Sequence, residues 1–176
     1  MAPLVSDYLF TLAQVAIGFV AFSTIAVVLR QMMGRSFDAY QTLLLHFVIE
    51  CGLAATMYAL VPALLAITGL ASAALWRTSS AALGVFGVVF PVYYVRQRRR
   101  VMPGPIPARA VWITMGTVVV DTLLWLNALT SVFRWSPGPY AIGVTWLLSA
   151  AGIILILTFG EFMRKEREGD PNDERR

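Results

Sequence analysis

Long apolar runs, separated by short polar stretches, set the pattern of this chain. Five runs stand out: about Tyr8 to Leu29, Tyr40 to Thr68, Ala73 to Val95, Ala110 to Phe133 and Tyr140 to Met163. At 1.5 Å per residue, each is long enough to cross a hydrocarbon core of ~30 Å as a helix. The second is the longest, and Pro62 is placed to kink it near its far end. The connections carry the breakers. Gly34 and Ser36 mark the first and Gly69 the second. Pro103, Gly104, Pro105 and Pro107 make the third an extended link, and Ser136, Pro137, Gly138 and Pro139 make the fourth a tight turn. After Met163 the chain turns highly charged, and Gly169 and Pro171 stop further helix there. The pattern predicts an all-α polytopic membrane protein, a bundle of five transmembrane helices over 1–163. Residues 164–176 follow as a solvated, disordered tail.

Composition supports that reading. Hydrophobic residues make up 58% of the 176, charged residues only 14%, and the mean hydropathy is +0.70. Soluble domains carry roughly 25% charged residues, so lipid must solvate the excess apolar surface. In a soluble protein the net charge of +4 would suggest nucleic acid. Here the arginines flank apolar runs, which points to membrane orientation and argues against nucleic acid.

The charges predict the direction of threading. With five spans, the Arg30/Arg35 loop, the Arg96-to-Arg109 loop and the tail share one side. They hold two, five and five Lys/Arg, twelve in all, against only Arg77 and Arg134 on the other side. Positive charge is retained inside, so the amino terminus is expected outside and the carboxyl terminus in the cytoplasm. A signal peptide carries its charge before its apolar run. Here Asp7 precedes the first run and Arg30 follows it, so that run reads as a retained anchor. Tyr8, Trp76, Trp135 and Tyr140 are expected at the outer interface, and Tyr40, Tyr93, Tyr94 and Trp112 at the inner one. Tyr58, Trp125 and Trp146 fall deeper and are expected to pack between helices. No internal repeat is evident.

Two acids interrupt this pattern. Glu50 is ten residues after Tyr40, and Asp121 eleven after Ala110. Both therefore lie roughly 15 Å from the same end, near mid-bilayer. An ionisable side chain at that depth is costly, so it has a partner, a water-filled cavity or a task. His46 lies one turn before Glu50 on the same helix face. Thr114 and Thr117 share the face of Asp121, while Asn127 lies on another face of that span. On the first span, Gln14 shares a face with Gly18. Two readings stay open. Glu50 and Asp121 are interhelix contacts, or they line a path for a proton, an ion or a polar solute, with His46, Gln14, Thr117 and Asn127 around it. The Arg96, Arg98, Arg99 and Arg100 run fits anionic lipid headgroups as well as the role of topology determinant.

Other chemistry finds little support. Cys51 is the single cysteine, so a disulfide or a thiolate metal cage within the chain is excluded. His46 is the single histidine, which excludes an H-E-x-x-H zinc site or bis-histidine haem. There is no nucleophile elbow and no phosphate-cradling loop. No cofactor or metal is expected, and an enzyme is the third choice. A single five-helix bundle normally fills its centre with side chains, so a true channel would need a symmetric oligomer.

The stretches Ile17-Gly18-Phe19-Val20-Ala21-Phe22, Val61-Pro62-Ala63-Leu64-Leu65 and Trp76-Arg77-Thr78-Ser79-Ser80 resemble small bacterial multi-pass inner-membrane proteins. The resemblance covers the first three spans and implies a place in the bacterial inner membrane, without an activity. The expected function is an oligomeric channel or transport component. The alternative is a non-catalytic scaffold or accessory subunit of a larger membrane complex. The expected partners are the bilayer, anionic headgroups, and a second copy or a membrane-complex subunit.

Overall fold

The computed structural model describes residues 3–32, 39–101 and 108–168. Five helices account for nearly all of them: α1 Pro3–Met32, α2 Ala39–Ile67, α3 Ser72–Val101, α4 Ala108–Leu129 and α5 Gly138–Glu168. All five contain a stretch long and apolar enough to cross a membrane, and no strand occurs among the described residues. A helix satisfies its backbone polar groups within its own segment, so apolar sequences of this length adopt it.

Several ends differ from the sequence expectation for local reasons. α2 continues past Pro62, which is buried, to Ile67. α3 continues past Val95 to Val101, carrying the four arginines on helix. Glu161 to Glu168 contains neither glycine nor proline, and α5 continues to Glu168. Of the expected tail, residues 169–176 lie outside the described residues, as do the Gly34 and Pro103–Pro107 loops. α4 stops at Leu129 rather than Phe133. There the chain makes a tight turn in which Arg134 and Trp135 both take positive φ, 50° and 52°. Gly69 ends α2 with φ 77°, its N–H bonding the Ala66 carbonyl at 3.1 Å. This left-handed position after a helix is one that glycine fills without a Cβ penalty.

Four helices form a ring. α2 packs on α3 and α5, and α4 packs on the same two. α1 stands outside the ring, mainly against α2 and secondarily against α5. The larger core lies toward the α2–α3 and α4–α5 turns, where Leu9, Trp76, Leu83, Leu124, Tyr140 and Val144 pack together. Trp76 and Tyr140 were expected at an interface. Instead they are buried and meet ring to ring at 5.9 Å. The hydroxyl of Tyr140 donates to the Tyr58 carbonyl, and that of Tyr58 to the Ala82 carbonyl at 3.3 Å, so each polar tip finds a partner inside the bundle. A smaller cluster around Val48, Ile154 and Leu155 lies toward the other end, here called the basic end after Arg96–Arg100.

Candidate functional site

The interior of the ring is not filled throughout. α4 presents Thr114, Thr117 and Asp121, at helical spacings of three and four, along one wall of a cavity of about 440 Å³. α3 faces it with Gly87, Pro91, Tyr94 and Arg98, spaced four, three and four. Such spacings keep side chains on one helix face. Phe47 of α2 and Trp146 of α5 complete the wall. Leu83, Leu124 and Gly143 line the deep end, and Tyr40, Arg98 and Thr158 line the basic end. Gly87 and Arg98 are eleven positions apart, roughly 16 Å along a helix.

Asp121 sits at the deep level, half-buried. A side chain at position 87 would collide with its carboxylate, so the bare backbone of Gly87 is what lets the acid into the ring. Among the described residues no hydrogen bond or ion pair reaches this carboxylate. Pro91 lies inside α3 and has no N–H to give the carbonyl of Gly87, four residues earlier. The Gly87 carbonyl, beside Asp121, thus lacks its usual helical donor.

The remaining walls are aromatic and braced. Phe47 packs on Phe90 at 5.1 Å and on Tyr94 at 4.6 Å, and Phe86 stacks on Phe90 at 4.9 Å. Trp146 donates from Nε1 to Thr117 Oγ1 at 3.1 Å, and that hydroxyl donates to the Ile113 carbonyl at 2.9 Å. The Trp146 ring lies so close to Gly116 that a side chain there would collide with it. This contact holds α5 against α4 and keeps Thr117 in place.

The two acids of the apolar helices share a level but not a direction. Phe47 packs on Phe90, and Tyr58 on Phe86 at 5.4 Å, so Glu50 between them stands opposite the 86–90 stretch where Gly87 meets Asp121. Yet Glu50 and His46 are exposed on the outer face of α2, beside exposed Leu53 and Met57. Asp121 points inward. The structure thus brings Thr114, Thr117 and Asp121 together and leaves Glu50 and His46 apart from them.

The other candidates separate as well. Gln14 is exposed on α1. Asn127 is fully buried in the larger core, donating from Nδ2 to Ser80 Oγ at 2.9 Å and to the Ser136 carbonyl at 3.1 Å. Arg96, Arg99 and Arg100 are exposed, as headgroup contacts require, whereas Arg98 is 6% exposed and turned into the cavity. Among the described residues no three of His, Cys, Asp and Glu gather as a metal site would need. Gly87, Tyr94 and Trp146 were not singled out as site residues, and Arg98 was assigned to the surface. The Gly87–Pro91–Tyr94–Arg98 spacing was the signal that could have found the α3 wall.

This architecture is that of an all-helical protein with five membrane-length apolar helices and an acid in an internal cavity. No family model, curated protein or solved structure matches the chain.

Proposed function

We propose that the protein is a membrane transport component whose ring of helices admits a small polar or charged solute from the basic end as far as Asp121. In this reading the chain threads the bacterial inner membrane five times. The amino terminus is outside, and the basic end and carboxyl terminus are cytoplasmic, as the twelve-to-two charge bias supports. One observation carries the proposal. Asp121 stands in a cavity that is lined as far as Arg98, with no basic or hydrogen-bonding partner among the described residues. Intramembrane acids that face a cavity mark substrate and ion pathways. Leu83, Leu124 and Gly143 then act as the stopper between the cavity and the opposite face, and passage requires them to part.

The test is proton and monovalent-cation flux in liposomes holding equal amounts of folded protein. Asp121→Asn is expected to lower flux at least tenfold and Glu50→Gln less than twofold. Wild-type flux in Asp121→Asn would sink the proposal. A second readout needs no known solute. In a Cys51→Ala background, Thr114→Cys is expected to react with a polar methanethiosulfonate reagent added on the basic side, and not from the other side.

The outer face of α2 supports a second reading, assembly with a further membrane helix. Exposed toward lipid, Glu50 and His46 would be costly, and polar groups at that depth normally face protein. A second copy or a different subunit covering α2 would remove that cost. Replacing both with leucine is expected to dissociate such an assembly. An unchanged particle mass in detergent would count against it.

A further inference from the structure

The walls around Asp121 are unequal in chemistry, and the inequality selects a ligand. At the deep level the polar groups are acceptors: the Asp121 carboxylate and the Gly87 carbonyl that Pro91 leaves without its helical N–H. Thr117 is already committed, donating to Ile113 and accepting from Trp146. The opposite walls are rings, Phe86, Phe90 and Phe47, with Trp146 on the α5 side. The other titratable groups lining the cavity are Cys51, Tyr40, Tyr94 and Arg98. Arg98 is the one cation among them, and it lies roughly 16 Å along α3 from Gly87. At that separation Arg98 makes no contact with the Asp121 carboxylate.

From this arrangement we infer that the cavity binds an organic monocation, an apolar or aromatic body carrying one protonated amine, with the ammonium against Asp121 and Gly87. The carboxylate supplies the opposite charge and the carbonyl accepts an N–H. The rings take the apolar body and add cation–π attraction within about 6 Å of a ring centre. An anion would meet two acceptors and no donor at the deep end. A fully neutral apolar ligand would fill the volume but leave the carboxylate unpaired. A pocket with apolar walls and a few convergent polar groups is the usual form of a small-molecule site. The inference rests on the reading of this cavity as the transport site, and it names the class of solute.

The experiment uses the full chain in lipid nanodiscs, with Thr114→Cys in the Cys51→Ala background as reporter. Protection from a methanethiosulfonate reagent is titrated with 2-phenylethylammonium and with propylbenzene, its neutral counterpart of nearly equal shape. The amine is expected to protect, and Asp121→Asn to raise the concentration needed at least tenfold. Propylbenzene should protect equally with either residue. Pro91→Ala, which returns an N–H to the Gly87 carbonyl and leaves the charge untouched, is expected to weaken the amine about threefold. Trimethylation of the amine should erase the effect of Pro91→Ala. This second variant keeps the test decisive if Asp121→Asn fails to fold. Equal protection by amine and neutral compound, insensitive to Asp121→Asn, would overturn the ligand class. So would a labelled cysteine that the amine never protects, with access from the basic end still standing. A cysteine that no reagent reaches from the basic side overturns both the class and the transport reading.

Discussion

Toward the α4–α5 turn, Tyr140, Trp76, Asn127 and Ser80 interlock, and hydrogen bonds cross between helices at several points. Toward the basic end, the same four-helix ring leaves a space of about 440 Å³. Hydrogen bonds tie the helices of the packed half together. Arg77 donates from Nε to the Ala128 carbonyl at 3.0 Å, and Tyr8 and Thr145 share a bond of 2.7 Å, each joining two helices. In the hollow half, Thr117 and Thr158 return their hydroxyl protons to their own helices, to Ile113 and Ile154. The Trp146–Thr117 bond joins α5 to α4 there and braces the cavity wall. In lipid, apolar surface gains little from leaving the solvent, so packing and interhelix hydrogen bonds hold a bundle. Close packing of buried rings fixes the ring of helices in one half, which lets the other half stay open around an acid.

Truncating a ring in each half is the strongest way to break this contrast. Tyr140→Ala removes a fully buried side chain, its tilted ring contact with Trp76 and its bond to Tyr58. It is expected to cost about 3–5 kcal/mol, read from the denaturation midpoint in mild detergent. Phe90→Ala removes a half-buried ring that already borders empty space, and is expected to cost roughly half as much, because less of its surface loses a neighbour. Equal losses would mean that the basic half is as tightly packed as the other.

Segment positions, and the places of Glu50 and Asp121 along their helices, could be read from the sequence by counting residues. Rotation could not. In a soluble protein the apolar stripe of a helix reports which face is buried. α1 and α2 are apolar nearly all round, because lipid and neighbouring helices accept the same side chains. Nothing in the pattern of α2 therefore showed that Glu50 faces outward. Trp76 and Tyr140 misled for a related reason. An amphipathic ring suits an interface, but it also suits a core that supplies a carbonyl, as Tyr58 does for Tyr140. Arg98 was hidden within a basic run whose other members are exposed. Only the continuation of α3 to Val101 places it one turn beyond Tyr94 on the cavity face.

Gly87→Ala tests the hollow half more finely. The added methyl meets the carboxylate of Asp121, the movable end of a side chain, and is expected to turn it away from the α3 wall. Stability should change by less than about 1 kcal/mol, since alanine also favours helix over glycine. Liposome flux should nonetheless fall severalfold, with the charge still present. Unchanged flux would show that the position of Asp121 against α3 is immaterial, and the proposed site would lose its geometric basis.

The smallest expected effect belongs to the packed half. Arg134 is exposed and held at φ 50°, a region that costs a residue with a Cβ roughly 1–2 kcal/mol. Glycine removes that cost but gains freedom in the unfolded chain, worth about 0.4–1 kcal/mol in the opposite direction. Arg134→Gly is therefore expected to stabilise by about 0.5 kcal/mol in the same denaturation assay. Trp135, at φ 52°, offers no such gain, because its ring lies 5.6 Å from the Arg77 guanidinium and would be lost with the substitution. Arg134→Gly also removes one of the two positive charges opposite the basic end, changing the count from twelve against two to twelve against one. If that bias sets the threading, the variant keeps the same orientation, and a reporter fused after Arg176 stays cytoplasmic. A loss of stability instead would mean that the Arg134 side chain contributes more to the turn than its backbone costs.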